Sequence, residues 1–158
     1  MIKVGDQLPK ATFTVMTADG PKPKTTDDIF AGKKVVLFAV PGAFTPTCDR
    51  NHLPSFRDKA AEIKAKGVDT IACTATNDAF VMGAWQKASN AGDIEFLADG
   101  SGNFAKAVGL SLDLTERGMG VRSKRYSMLV DNGVVKSLNI EENPGIELSG
   151  ADNILKQI

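Results

Sequence analysis

The side chains of this chain best equipped for chemistry are two thiols, one imidazole and a pair of arginines. Cys48 follows the loop sequence Pro41-Gly42-Ala43-Phe44-Thr45-Pro46-Thr47 and opens a run of helical periodicity. A thiol in the first turn of a helix faces unpaired backbone N–H groups and the positive end of the macrodipole, and both favour its anion. Thr45, three residues upstream, brings a hydroxyl within reach of the sulfur or of an oxygen ligand. Pro41 and Pro46 stiffen the loop and lower the entropy of positioning it. A thiolate attacking a neutral substrate needs a fixed cation. Arg122 and Arg125 lead into the apolar run Tyr126–Val130 and stay charged throughout the working pH range. His52, at i+4 from Cys48, offers instead a cysteine–histidine pair, the equipment of a hydrolase or transferase. A plainer role for it, packing or hydrogen bonding on the helix face, is preferred. Two other thiol chemistries fail on spacing. A cysteine phosphatase loop needs arginine six residues on, where Pro54 stands, and a dithiol oxidoreductase needs a second cysteine three residues on, where Asn51 stands.

The elements that must position these groups follow from pattern. Lys34–Val40 is a continuous β-branched and aromatic run, the mark of a strand buried on both faces. The reactive loop therefore leaves the carboxyl end of a central strand, where open α/β sheets hold their ligands. From Cys48 to about Lys66, Leu53, Phe56, Ala60 and Ile63 recur at helical spacing, with Thr47 as candidate N-cap and Gly67 as C-cap. Pro54 is expected to kink this helix. Val68–Ala75, carrying Cys73, reads as a second buried strand, and Asn77-Asp78 caps a helix from Ala79 to about Ala91. Ile94–Leu97 reads as a short strand, Ser101–Val108 as a short helix, and Ser111–Gly120 as a loop with a helical turn. Arg125–Leu138 reads as a hairpin around Asp131-Asn132-Gly133, and Ser149–Ile158 as a final helix. Ahead of these, Ala11–Thr17 alternates as a strand, Asp19–Pro23 reads as a turn cluster, and Thr25-Thr26-Asp27-Asp28 caps a short helical turn. The alternation predicts an α/β domain spanning 1–158: a central mixed sheet flanked by helices, its first two inner strands parallel, with an N-terminal β extension.

Composition narrows the class. The 158 residues are 42% hydrophobic and 24% charged, and Lys plus Arg balance Asp plus Glu at 19 each. A neutral chain lacks the basic face that nucleic acid or an anionic membrane selects. No stretch reaches the apolar length of a membrane span, and the first residues show no leader pattern, so a cytoplasmic protein is expected, or the mature form of an organellar one. Two cysteines and one histidine do not suit a disulfide framework or a structural zinc site.

Pro41-Gly-Ala-Phe-Thr-Pro-Thr-Cys48, extended through His52-Leu53-Pro54, resembles the active-site signature of the peroxiredoxins, in particular the type II, peroxiredoxin 5-like group. The likeness continues through Asn77–Met82 and Lys124–Met128. It implies a thioredoxin-like fold and a thiol peroxidase that reduces hydrogen peroxide and alkyl hydroperoxides with no metal, haem or flavin. By the same resemblance Cys48 is the peroxidatic cysteine, Pro41 shields it, Thr45 hydrogen-bonds the peroxide, and Arg125 stabilises the thiolate and the transition state. It further implies a homodimer recycled by glutathione, glutaredoxin or thioredoxin, and Leu112, Leu114 and Met119 are candidates for the dimer surface. Cys73 matches a second cysteine proposed to resolve the sulfenic acid in plant-type members, but its mid-strand position favours a core residue. The competing class is a non-catalytic thioredoxin-fold redox sensor or chaperone switched by oxidation of Cys48. Asp49 departs from the Ser or Thr usual in the group. A carboxylate beside a thiolate opposes the anion, so Asp49 is expected to point to solvent.

Overall fold

The computed structural model describes all 158 residues. The chain enters through β1 (Thr12–Thr17) and β2 (Gly20–Thr25), an antiparallel pair, and then α1 (Thr26–Phe30). Thr25 caps α1 through a reciprocal box with Asp28. The segment read as a turn cluster is therefore mostly strand. Pro21 and Pro23 cannot donate to a ladder, and β2 tolerates them because it is the outermost strand of the sheet.

The middle of the sheet is built from β3 (Lys34–Ala39) and β4 (Thr70–Ala75), which pair in parallel as expected. Between them the helical run begins at Pro46, passes through a π-helical turn over Cys48–His52, and continues as α2 (Leu53–Asp58) and α3 (Ala60–Ala65). Next come α4 (Ala79–Ala88), β5 (Glu95–Ala98) and α5 (Asn103–Ala107). The chain then forms β6 (Ser111–Leu114) and β7 (Gly120–Ser123), the hairpin β8 (Tyr126–Asp131) and β9 (Val134–Ile140), and α6 (Ala151–Gln157). Seven strands make one mixed sheet in the order β2-β1-β5-β4-β3-β8-β9, and β6 and β7 form a separate two-stranded ribbon. Ser111–Gly120 was expected to be a loop. Its alternation is too short and too polar to read as strands, and the ribbon exists because β7 returns antiparallel across a tight 3-10 turn at Thr115–Arg117. The β8–β9 turn matches its sequence signal, with both Asn132 (φ 48) and Gly133 (φ 80) left-handed.

Alternation along β3 divides the core. Val36, Phe38 and Val40 join Cys48, Leu53, Phe56, Cys73 and Trp85 on one face of the sheet, while Val35, Leu37 and Ala39 join Phe13, Phe104 and Tyr126 on the other. Each large side chain buried here contributes about 1.5–3 kcal/mol of transfer free energy. The first face carries the helix that holds Cys48. Phe38 forms its floor, stacked on Phe56 at 4.2 Å between centroids and tilted against the His52 ring at 5.0 Å.

The 48–66 run leaves ideal α geometry next to Pro54. Leu53 N–H bonds to Cys48 C=O, one residue wider than an α turn, and Pro54 falls in the first turn of α2, where no donor is required of it. The break comes later, at Lys59 (φ −109, ψ 11), between α2 and α3.

Candidate active site

Strand register decides which residues meet. β3 and β8 are antiparallel with Ala39 opposite Tyr126, so the next residues, Val40 and Arg125, leave the sheet side by side. β3 and β4 are parallel with Ala39 opposite Thr74, so Asn77 arrives at the same end of the sheet. There the Asn77 side-chain oxygen accepts the Ala43 N–H at 2.9 Å and fastens the 41–47 loop. The loop is tight. Gly42 is closely hemmed in, since a Cβ would stand 3.2 Å from both Arg122 Nη1 and Thr45 Cγ2. Phe44 takes a left-handed φ of 63, rare for a residue with a side chain, and leaves its ring half in solvent, 6.4 Å from Trp85.

Thr45 closes the loop twice. Its hydroxyl donates to Gly42 C=O at 2.7 Å, and its own carbonyl accepts the Asp49 N–H at 2.8 Å. That second bond is the first of the helical run, so the Thr47 and Cys48 amides belong to the open first turn. Thr47 itself makes no side-chain cap, contrary to expectation, because its backbone is already helical (φ −68, ψ −38) and the cap position falls further back.

Cys48 is fully buried in this reduced form, and its Sγ accepts a hydrogen bond from Arg125 Nη2 at 2.9 Å. The guanidinium is held from its other side. Arg125 Nη1 donates to His52 Nδ1 at 3.0 Å, and His52 Nε2 meets Ser149 C=O at 2.9 Å. Arginine only donates and a carbonyl only accepts, so the imidazole is neutral with its proton on Nε2. Burial, then the adjacent Arg125 charge, pushes the His52 pKa down to about 3. Neither ring nitrogen is free to take a proton from Cys48, so the cysteine–histidine pair weighed from sequence is absent and the hydrogen-bonding role stands. Arg122 sits further out, donating from Nε to Met119 C=O at 2.8 Å and contacting Pro41 C=O at 3.5 Å. It ties the β6–β7 ribbon to the loop, and Pro41 lies half-buried beneath it.

Two sequence expectations change. Asp49 is half-buried rather than turned out to solvent: its Oδ1 accepts the indole N–H of buried Trp85 at 2.8 Å. The Trp85 ring is walled by Phe96 and the core, and its N–H needs an acceptor that Asp49 alone supplies. Nothing in the sequence points to Ser149, since a backbone carbonyl acting as acceptor leaves no trace in residue types. Cys73 lies in the core as favoured, opposite Phe38 and Phe96 in the sheet and on the same face as Cys48. Burial, followed by the neighbouring Cys48, pushes its thiol pKa well up, with Arg125 opposing.

Comparison with known proteins places the chain as a whole. The Redoxin family model matches residues 3–155. Peroxiredoxin-2E-2, chloroplastic, of Oryza sativa subsp. japonica is 50% identical over 163 residues, covering 99% of this chain and 72% of that protein. The chain belongs to the peroxiredoxins. Reduced Prx3 of Vibrio vulnificus in complex with H2O2 is 52% identical and superposes with a TM-score of 0.95 over 99% of this chain and 98% of that one. Peroxiredoxin 5 of Alvinella pompejana, at 36% identity, gives 0.87 over 99% and 97%. The thioredoxin-like fold and thiol peroxidase activity of a type II peroxiredoxin follow, rather than those of a non-catalytic switch. No helix of this peroxiredoxin is long and apolar enough to cross a membrane.

Proposed function

We propose that Cys48 is the peroxidatic thiol and that Arg125, Thr45 and Pro41 complete its reaction centre. The observation that carries the assignment is the 2.9 Å contact from Arg125 Nη2 to Cys48 Sγ. A charge-assisted bond to sulfur stabilises the anion, and a guanidinium shared between sulfur and the peroxide oxygens follows the charge as it moves along S···O–O. The thiolate attacks the hydroxyl oxygen of ROOH. The S–O bond forms, the O–O bond breaks, and the alkoxide leaves with the proton released by the thiol, so that Cys–SH and ROOH become Cys–SOH and ROH. Thr45 has already committed its proton to Gly42 C=O, which leaves its oxygen lone pairs to orient the peroxide hydroxyl. Pro41, at the start of the loop, has no N–H and offers no competing donor.

The sulfenic acid is then reduced by two external thiol equivalents. The first condenses with it, expelling water, and the second cleaves the mixed disulfide. Glutathione, glutaredoxin and thioredoxin are the reductants of suitable chemistry. Cys73 acts as a core residue: it has no exposed surface, and its raised pKa keeps it protonated. The protein works as a homodimer in the cytoplasm or in an organelle. Stopped-flow peroxide consumption by the reduced protein, followed by mass analysis, tests the assignment. Wild type and Cys73→Ser should consume peroxide equally fast and give a sulfenic acid or a thiol adduct. An obligatory Cys48–Cys73 disulfide, or unchanged consumption by Cys48→Ser, would overturn it.

A further inference from the structure

The hydrogen bonds around Arg125 close on themselves. β8 and β9 pair up to Tyr126 and Ile140, and one step beyond, Glu141 N–H bonds to Arg125 C=O at 2.9 Å. The Glu141 carboxylate then reaches over the 142–148 loop and collects three donors: Leu148 N–H at 3.1 Å, Ser149 N–H at 2.9 Å and Ser149 Oγ–H at 2.7 Å. Ser149, fully buried, turns its carbonyl to His52 Nε2–H at 2.9 Å, and His52 Nδ1 accepts from the guanidinium of the same Arg125. The strap has little slack. Gly150 N–H bonds to Ile146 C=O at 3.1 Å, and a Cβ on Gly150 would come within 2.9 Å of that oxygen.

From this closed circuit we infer that Glu141 is a positioning residue for peroxide reduction. Its carboxylate fixes the Ser149 carbonyl, the carbonyl selects the Nε2–H tautomer of His52, and the bare Nδ1 that results holds Arg125 with Nη2 on the Cys48 sulfur. A tautomer with the proton on Nδ1 would set two donors against each other and expel the guanidinium. Which ring nitrogen carries the proton is set by the partners of the two nitrogens, and here the Ser149 carbonyl is the acceptor that Nε2–H needs. The inference rests on the role proposed above for Arg125.

His52 is the only histidine of the chain, so its nitrogen signals in ¹⁵N NMR need no assignment. At neutral pH the reduced protein should show one protonated and one unprotonated ring nitrogen, the pure Nε2–H form. Glu141→Gln keeps one oxygen acceptor but removes the negative charge that the three donors share. It should give averaged ring shifts and a rate constant for peroxide about tenfold lower, the size of one hydrogen bond to a charged group. In a His52→Ala background the same change should cost nothing further. Ser149→Ala, which keeps both backbone contacts, should give the same signature with a two- to fivefold loss (about half of one such bond), and it stands in if Glu141→Gln does not fold. A Glu141→Gln rate within twofold of wild type, a rate loss with the tautomer still pure, or an equal loss without His52 would each overturn the inference. Arg125→Met, run alongside, separates the two claims: an unchanged rate there refutes the role of Arg125, whereas the tautomer readout tests the strap on its own.

Discussion

Acid should weaken this fold through one imidazole. The unfolded His52 titrates near 6.5 and the folded one at about 3. On acidification the unfolded chain therefore takes the proton first, and stability falls as pH falls between those values. At pH 7 the term is nearly absent. At pH 4 the unfolded imidazole is fully protonated while the folded one remains mostly neutral. The interval below 6.5 is about two and a half pH units at about 1.4 kcal/mol each, and subtracting the small folded uptake leaves a loss of about 3 kcal/mol. That is a large fraction of the 5–15 kcal/mol typical of a domain. The assay is urea unfolding at pH 7 and pH 4 in a Cys48→Ser background, which removes the oxidisable thiol next to Arg125. It compares His52 with His52→Gln, which keeps a donor and an acceptor but does not titrate. Carboxylates contribute equally to both proteins and cancel. His52→Gln should lose about 3 kcal/mol less between the two pH values. If the two proteins lose the same amount within about 1 kcal/mol, the buried, neutral imidazole described here is wrong.

Other perturbations probe neighbouring contacts. Arg125→Met removes a charge-assisted bond worth about 1.5–3 kcal/mol, so the rate constant for peroxide should drop about ten- to a hundredfold in stopped flow, with the fold retained by circular dichroism. Asp49→Ala leaves the indole N–H of Trp85 unpaired in the core and should cost about 1–3 kcal/mol in urea unfolding, while Asp49→Asn, which keeps an oxygen acceptor, should cost about half of that or less. Gly150→Ala pushes a Cβ into Ile146 C=O and should destabilise by about 1–3 kcal/mol, read as a lower thermal midpoint, with slower peroxide reduction as Ser149 shifts.

Periodicity and turn chemistry carried much of the fold. The apolar run of β3, the capping residues Thr25 and Asp78, and the Asn132-Gly133 turn are local signals, and local geometry satisfies each of them. Where the pattern misled, a partner outside the window was responsible. Pro21 and Pro23 read as breakers because sequence does not announce that β2 will lie at an edge. Pro54 reads only as a lost donor because nothing in its type reveals the wide turn that precedes it.

The same division runs through the reaction centre. The sequence by itself determined the proposed nucleophile and its setting: a thiol behind a stiff loop at the start of a helix, with Thr45 at a fixed offset. Those relations span a few residues of backbone, and the chain cannot fold locally without keeping them. Tertiary structure alone decided what surrounds the sulfur. Strand register, set by side chains burying on two faces of one sheet, put Arg125 rather than His52 on Cys48 Sγ. A desolvated indole N–H, which must find an acceptor, turned Asp49 inward. A loop almost a hundred residues downstream supplied the carbonyl that fixes the proton on His52, an acceptor every residue owns and no residue type reveals.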